Sequence, residues 1–428
     1  MKKQKRIFRQ FHYWECDSFA EYLHNMSAKG WHFKGWKLGM IFEKGEPEEI
    51  YYDVEAFSKG SEMDTRPEPE TEEYADYCEA AGWKFIDSSR RFCVFQRQEE
   101  DAVPIVTPEE RLQNIKKASW RKWIPEAFTF LFVSVNFWVQ LFHFNFERYI
   151  FWDLMLFFIF AATLGVTEKF VELVFMLVEG HRKKKELAEG GIPFYGGRLQ
   201  AVLSYFRSYM GIAVVTISLV IACMQESYYI MAILFITALV LLLILAAVAL
   251  WRPSREDNWM LQLGGGLGIL AVMLPVLIAV MISGEDKGRE LITDIPLTQA
   301  DYRSVSGEVE FTDEWHFNGI LGEMAAYTVD YKEPTGPWGG NTDRLNYYVY
   351  RTDHAWILNR IWDQYLERMK NPEDYTQQWK AQAAVHDHRG GNFYLVLFQE
   401  QLLYLYSDEP LEENQIPIIC DKLRLGAQ

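Results

Sequence analysis

Five apolar stretches lie between Glu126 and Gly284, and each reaches or approaches the length of a membrane-crossing helix. A bilayer core of ~30 Å takes about 20 residues of helix. The helix is forced there, because lipid offers backbone N–H and C=O groups no partners. The stretches cover 127–144, 149–166, 209–224, 229–251 and 259–283. The expected fold class is a multi-domain membrane protein with an α-helical transmembrane bundle of about five spans over 126–284. An α+β cytoplasmic domain at 1–100 precedes it with a linker at 101–125, and a C-terminal α+β domain follows at 285–428.

Orientation follows from the cations beside the spans, since basic loops stay on the cytoplasmic side. Lys116, Lys117, Arg121, Lys122, Arg182 to Lys185, Arg198, Arg207, Arg252 and Arg255 fall on one side, twelve in all. Arg148, Lys287 and Arg289 are the three on the other. The N-terminus is therefore expected inside the cell and the C-terminus outside, in a multi-pass protein of the cell membrane whose first partner is the lipid bilayer. Net charge is −5 over residues 1–120, +1 over 121–284 and −12 over 285–428. So acidic an outer domain lacks the Lys and Arg that phosphate contacts need, and no direct nucleic-acid binding is expected. Met1 to Arg9 is basic but runs into Phe11, His12, Tyr13 and Glu15, so no cleavable signal is expected. Cys16, Cys78, Cys93, Cys223 and Cys420 show no metal-ligand spacing, and they read as small buried hydrophobes.

The N-terminal domain is a duplication. Residues 22–33 read Tyr-Leu-His-Asn-Met-Ser-Ala-Lys-Gly-Trp-His-Phe, and residues 74–85 read Tyr-Ala-Asp-Tyr-Cys-Glu-Ala-Ala-Gly-Trp-Lys-Phe. Gly30 and Gly82 stand where a helix C-terminus wants a left-handed residue. Alternating strand patterns start at Trp31 and Trp83, and further strands precede each helix at 7–11 and 50–54. Asp17, Ser18 and Thr71 are plausible caps. The order is strand, helix, strand, strand, twice, and the two units are expected to share one antiparallel sheet of about six strands. The heavy aromatic load, Trp31, Trp36, Trp83, Phe33 and Phe42 among others, reads as core or as a ligand pocket.

The Tyr-Leu-x-x-Met-x-x-Lys-Gly-Trp-x-Phe exit, the Phe-x-x-Gly-x-Pro turn at 42–47, Tyr51-Tyr52-Asp53 and the second Ala-Gly-Trp-x-Phe resemble the domain-of-unknown-function 2812 family over about residues 6–97. The resemblance implies a bacterial membrane protein with a cytoplasmic domain ahead of transmembrane helices. Genes of that family often neighbour those of PadR-type winged-helix transcription regulators, which implies membrane-linked regulation with such a regulator as partner. It brings no catalytic residues and no cofactor.

Within and beside the spans, ionisable and polar groups are the functional candidates. Glu168, Lys169 and Glu172 follow the second stretch among apolar residues. They mark either a transport path in lipid or an amphipathic stalk in which Lys169 pairs with Glu172. Asn136 and Asp153, with Gln140 and Gln262 behind them, are read as bonds across helices. Gly264 and Gly268 form a GxxxG pair for close helix packing.

The C-terminal domain is expected to have strands at 307–311 and 345–351, a helix at 353–369, a hairpin at 392–407 and a last helix near Asp421. His386 and His388 are weak metal candidates, because a site needs a third group, and they read as exposed residues of a turn. The expected function is a non-enzymatic membrane sensor or regulator coupling an outer domain to a cytoplasmic protein-interaction domain, with no cofactor and no metal. The alternatives are a small-molecule exporter or transporter component using the charges after the second stretch, and an outer enzyme using His386 and His388.

Overall fold

The computed structural model describes residues 3–99, 102–144, 146–197, 210, 213–221, 223–224, 228–264, 294–305, 308–332, 342–388 and 391–426. The chain divides into two compact units, residues 1–135 with 160–278 and residues 136–159 with 279–428.

The first unit opens with the order strand, helix, strand, strand, twice. The first repeat is β1 (Gln4–Ile7), α1 (Cys16–Ser27), β2 (Trp31–Trp36) and β3 (Met40–Lys44). The second is β4 (Tyr52–Ala56), α2 (Pro69–Glu79), β5 (Trp83–Ser89) and β6 (Phe92–Arg97). Gly30 and Gly82 take φ of +76° and +86°, a backbone conformation that costs glycine nothing, and each turns its helix into the strand begun by tryptophan. The repeats do not share one six-stranded sheet. Each closes its own three-stranded antiparallel sheet, ordered β1-β3-β2 and β4-β6-β5. The cause is local, because the last strand of each repeat pairs on both sides with strands of its own repeat and leaves no central edge for the other.

None of the three predicted cap residues, Asp17, Ser18 and Thr71, stands at a cap position. Glu15 occupies the position before α1 and makes no side-chain cap bond, while α2 starts at Pro69, whose missing N–H suits a first turn. Most of the aromatic load is core: Trp14, Phe19, Phe33, Phe42 and Phe92 are buried together. Leu112, Ile115 and Ala118 of α3 (Pro108–Val139) complete that core, with Met176 and Tyr195.

The expected bundle of about five spans is overturned. Among the described residues two helices, Pro108–His143 and Asp153–Ala188, are long and apolar enough to cross a membrane, and most of the described chain outside them is α+β. The first two apolar stretches do not end where their apolar residues end, because helical hydrogen bonding continues through their charged flanks. After a π-helical turn at Gln140–Phe144 and α4 (Phe146–Tyr149), α5 runs without a break over Asp153–Ala188. The fourth stretch forms α6 (Tyr228–Trp251), whose described apolar portion, Phe235–Trp251, is shorter than a span. The third stretch is described only in part, and most of the fifth lies outside the described residues. Membrane association thus rests on two apolar helices.

The second unit is built on seven antiparallel strands in the order β10-β11-β12-β13-β9-β8-β7. Its strands are β7 (Glu308–Gly319), β8 (Gly322–Lys332), β9 (Thr342–Arg351), β10 (Glu373–Asp374), β11 (Ala383–Asp387), β12 (Asn392–Leu397) and β13 (Gln401–Ser407). Between β9 and β10 lies α7 (Ala355–Arg368), followed by α8 (Thr376–Trp379) and, at the end, α9 (Ile416–Lys422). Side chains of a strand alternate between faces. Leu345, Tyr347 and Val349 of β9 accordingly join Leu297, Trp379, Ile416 and Ile419 in one core, and Tyr350 faces the other. On that second face Ile357, Leu358 and Ile361 of α7 pack with Phe146, Ile150, Phe151, Met155 and Ile159, so the segment joining α3 to α5 belongs to the core of this unit.

Candidate functional site

Three clusters of opposite charge lie within the first unit, two tying helix ends to the duplicated module and one joining α3 to α5. The first lies where the repeats meet. Both hairpins shift register at equivalent places, between Phe33 and Gly35 and between Phe85 and Asp87. Such a bulge re-aims the side chains beside it. The glycine of one repeat thus corresponds to the aspartate of the other. A Cβ at Gly35 would lie 2.3 Å from Asp87 Oδ2, so only glycine admits that carboxylate, which accepts the Trp36 N–H at 2.8 Å.

Onto this junction comes the chain leaving α6. Arg252 donates from its two terminal nitrogens to Asp87 Oδ2 and Oδ1 at 2.8 and 2.9 Å, and to the Ser88 carbonyl at 2.7 Å. Its Nε donates to the Thr65 carbonyl, and the Thr65 hydroxyl donates to the Pro253 carbonyl at 2.6 Å. Paired N–H groups on one carboxylate are the strong, geometry-selective form of an ion pair. Arg252 has φ of +48°, a left-handed conformation costing a non-glycine residue about 1–2 kcal/mol, which these bonds offset. Arg255 donates to both oxygens of buried Asp64 at 2.7 and 3.0 Å and, through its backbone N–H, to Glu68 at 2.8 Å. Asn258 donates to the Met63 carbonyl at 2.6 Å.

The second cluster surrounds Arg111 near the start of α3. Asp17 of α1 and Asp53 and Glu55 of β4 lie 2.9, 3.3 and 2.9 Å from its guanidinium nitrogens. The Glu55 contact is a close approach and not a well-aligned hydrogen bond, since Arg111 Nε has no acceptor in line. Asp17 also accepts the Tyr195 N–H at 2.6 Å, and the Tyr195 ring lies 5.6 Å from the guanidinium carbon. Burial pushes the Glu55 carboxyl well above the usual carboxylate range and raises Asp53, against the pull of Arg111.

The third cluster contains the predicted charges of α5. Lys169 is 4% exposed and its ammonium lies 2.6 Å from Glu126 of α3, 2.9 Å from Glu172 and 3.4 Å from Glu168. Trp123 donates to the Lys169 carbonyl at 3.0 Å, which fixes the level at which α3 and α5 meet. Beyond it Leu173, Phe175 and Met176 pack on the module core, while Phe170, Val174 and Leu177 are exposed.

The other sequence candidates have separate surroundings. Asn136 accepts from Gln140 on its own helix at 2.7 Å, and among the described residues no bond from it across helices, of the kind predicted, is found. Gln262 donates to Asn258 one turn back at 3.1 Å. Asp153 accepts the Ile320 N–H at 2.8 Å and so binds the start of α5 to the β7–β8 turn. A Cβ at Gly264 would meet nothing within 4 Å among the described residues, and Gly268 lies outside them. His386 is in β11 and not in an exposed turn. It is buried, and its ring stacks on Tyr394 with centroids 4.3 Å apart. Burial lowers its pKa. His388 is exposed with Nδ1 3.7 Å from Glu373. Among the described residues no group of three or more His, Cys, Asp and Glu is placed to hold a metal.

Sequence reasoning treated Arg252 and Arg255 only as orientation cations and passed over Arg111, Asp64, Asp87 and Glu55. One signal was available, namely that an aspartate in a strand at the position matching a glycine of its repeat asks for a partner.

Residues 15–127 match the family model described as "Protein of unknown function (DUF2812)", which bears out the resemblance read from the Gly-Trp-x-Phe repeats. The match extends past the module into α3 and takes in Arg111 and Glu126. No curated protein and no solved structure matches the chain.

Proposed function

We propose that this chain, whose residues 15–127 carry the DUF2812 match, is a non-enzymatic, multi-pass membrane regulator that passes a change at its helices to a cytoplasmic protein-interaction module. The observation that carries the reading is the bidentate seat of Arg252 on Asp87 at the junction of the two repeats. A rotation or shift of α6 cannot keep that geometry, so it must either drag the junction or release it. Orientation with the duplicated module inside is supported by the cations beside the two apolar helices, Lys116, Lys117, Arg121, Lys122 and Arg182 to Lys185 against Arg148 between them. That the C-terminal sheet shares its core with the segment joining α3 and α5 supports a common outer face for both. The partner implied by the family resemblance is a winged-helix transcription regulator of the PadR type.

Copurification from crosslinked cells tests this reading. The regulator is expected with the intact chain and not with Arg252→Met/Arg255→Met, at equal membrane insertion. No crosslinked partner, together with unchanged transcription on deletion, would sink it.

A further inference from the structure

Around Arg111 three carboxylates face one cation, and one of their oxygens has no partner at all. Glu55 is 3% exposed, and its Oε2 is buried without a hydrogen-bond donor, while Oε1 lies 2.9 Å from Arg111 Nε. A buried carboxylate oxygen with no donor costs far more ionised than neutral. Among the described residues ion-paired in this cluster, Arg111 is the one cation. Asp53 of β4, Asp17 of α1 and Glu110 of α3 bear on Glu55 with the same sign, and Arg111 opposes them. Among the described residues Cys16 of α1, Tyr74 and Cys78 of α2, Cys93 of β6 and Tyr195 also sense Glu55, and none of these is cationic.

We propose that Glu55 is a proton-binding site: in the docked module its carboxyl carries a proton drawn from bulk water, and returning that proton to water loosens the grip of α1 and β4 on α3. The inference deepens the coupling reading, since Arg111 is the residue by which α3 is held. Burial is the largest influence on the Glu55 carboxyl and raises it, Arg111 opposes, and Asp53 and Asp17 reinforce. The sign follows from proton counting. A carboxyl whose affinity is raised on folding is protonated in the folded state over a window where the unfolded chain has already released its proton. Stability therefore falls as pH rises from the ordinary glutamate range of about 4.3 through the folded value. Asp53, raised less strongly, acts in the same direction.

The test is thermal unfolding of the full chain in detergent from roughly pH 5 to pH 8, followed by module-specific fluorescence. Wild-type Tm is expected to fall with rising pH. Glu55→Gln, which keeps shape without the ionisable proton, should raise Tm at the alkaline end and flatten the slope. The infrared band of a protonated carboxyl should also be present in wild type and reduced in Glu55→Gln. A Glu55→Gln chain with the wild-type slope overturns the proposal. If that variant does not fold, wild type decides alone, and a flat or rising Tm overturns the proposal. A negative result here with a positive Arg252→Met/Arg255→Met result removes the proton site and leaves the coupling reading intact. The opposite pair of results removes only the coupling.

Discussion

The two repeats share a backbone order and differ in what they bury. On α1 the core-facing residues are Phe19, Leu23 and Met26, while the matching residues on α2 are Thr71, Ala75 and Cys78. The larger set packs into a core completed by α3 and α5, and the smaller one closes over Trp83, Cys93 and Phe95. Charge runs the other way: repeat two carries Asp87 and its approach segment Asp64, on which Arg252 and Arg255 close. Duplication therefore produced one repeat specialised in apolar docking and one specialised in ionic docking. In a module that must hold several helix ends, the apolar contact supplies adhesion and the carboxylates supply register.

Four substitutions break or sharpen that contrast. Arg111→Met should have the largest effect, about 3–5 kcal/mol, because it strands the carboxylates of both repeats in the interior. Differential scanning calorimetry of the purified protein would show it as a lost or lowered first transition, and an unchanged trace would place the stability elsewhere. Leu23→Ala, which gives repeat one the residue of repeat two, should cost about 2–5 kcal/mol. The converse, Ala75→Leu, should cost less, about 1–3 kcal/mol of overpacking. Equal losses for the two would mean that the repeats do not differ in packing. Asp87→Gly, which restores the residue of repeat one at the bulge, should cost about 1.5–3 kcal/mol by removing a charged acceptor. Amide exchange is the sharper readout, with faster exchange expected at Trp36 and Leu38, whose N–H groups bond Asp87 and the Ala249 carbonyl.

Legibility in the sequence followed the range of the interaction. Gly-Trp-x-Phe marks both repeats because a helix exit and the next strand are neighbours in the chain. Lys169 with Glu172 was legible for the same reason, being one turn apart, whereas Glu126 arrives from another helix. Strand β8 escaped notice because Met324, Ala325 and Ala326 suit a helix as well as a strand, and pairing with β7 and β9 decides the matter. His386 looked like a turn residue beside Arg389 and Gly390, yet β11 pairs with β12 and buries it. Hydropathy marked five apolar stretches, of which two prove long enough to span among the described residues, and could not say where their helices end, since charged turns extend a helix as readily as apolar ones.

The sequence by itself determined the duplication, the apolar stretches and the acidic C-terminal third, all properties of residues close together in the chain. Only the tertiary structure decided that each repeat closes its own sheet, that Asp87 fills the space left by Gly35, and that Arg111 collects Asp17, Asp53 and Glu55. The reason is physical. An ion pair in a low-dielectric interior gains its energy from closeness of a few ångströms. Residues separated by tens or hundreds of positions acquire that closeness only when the chain has folded.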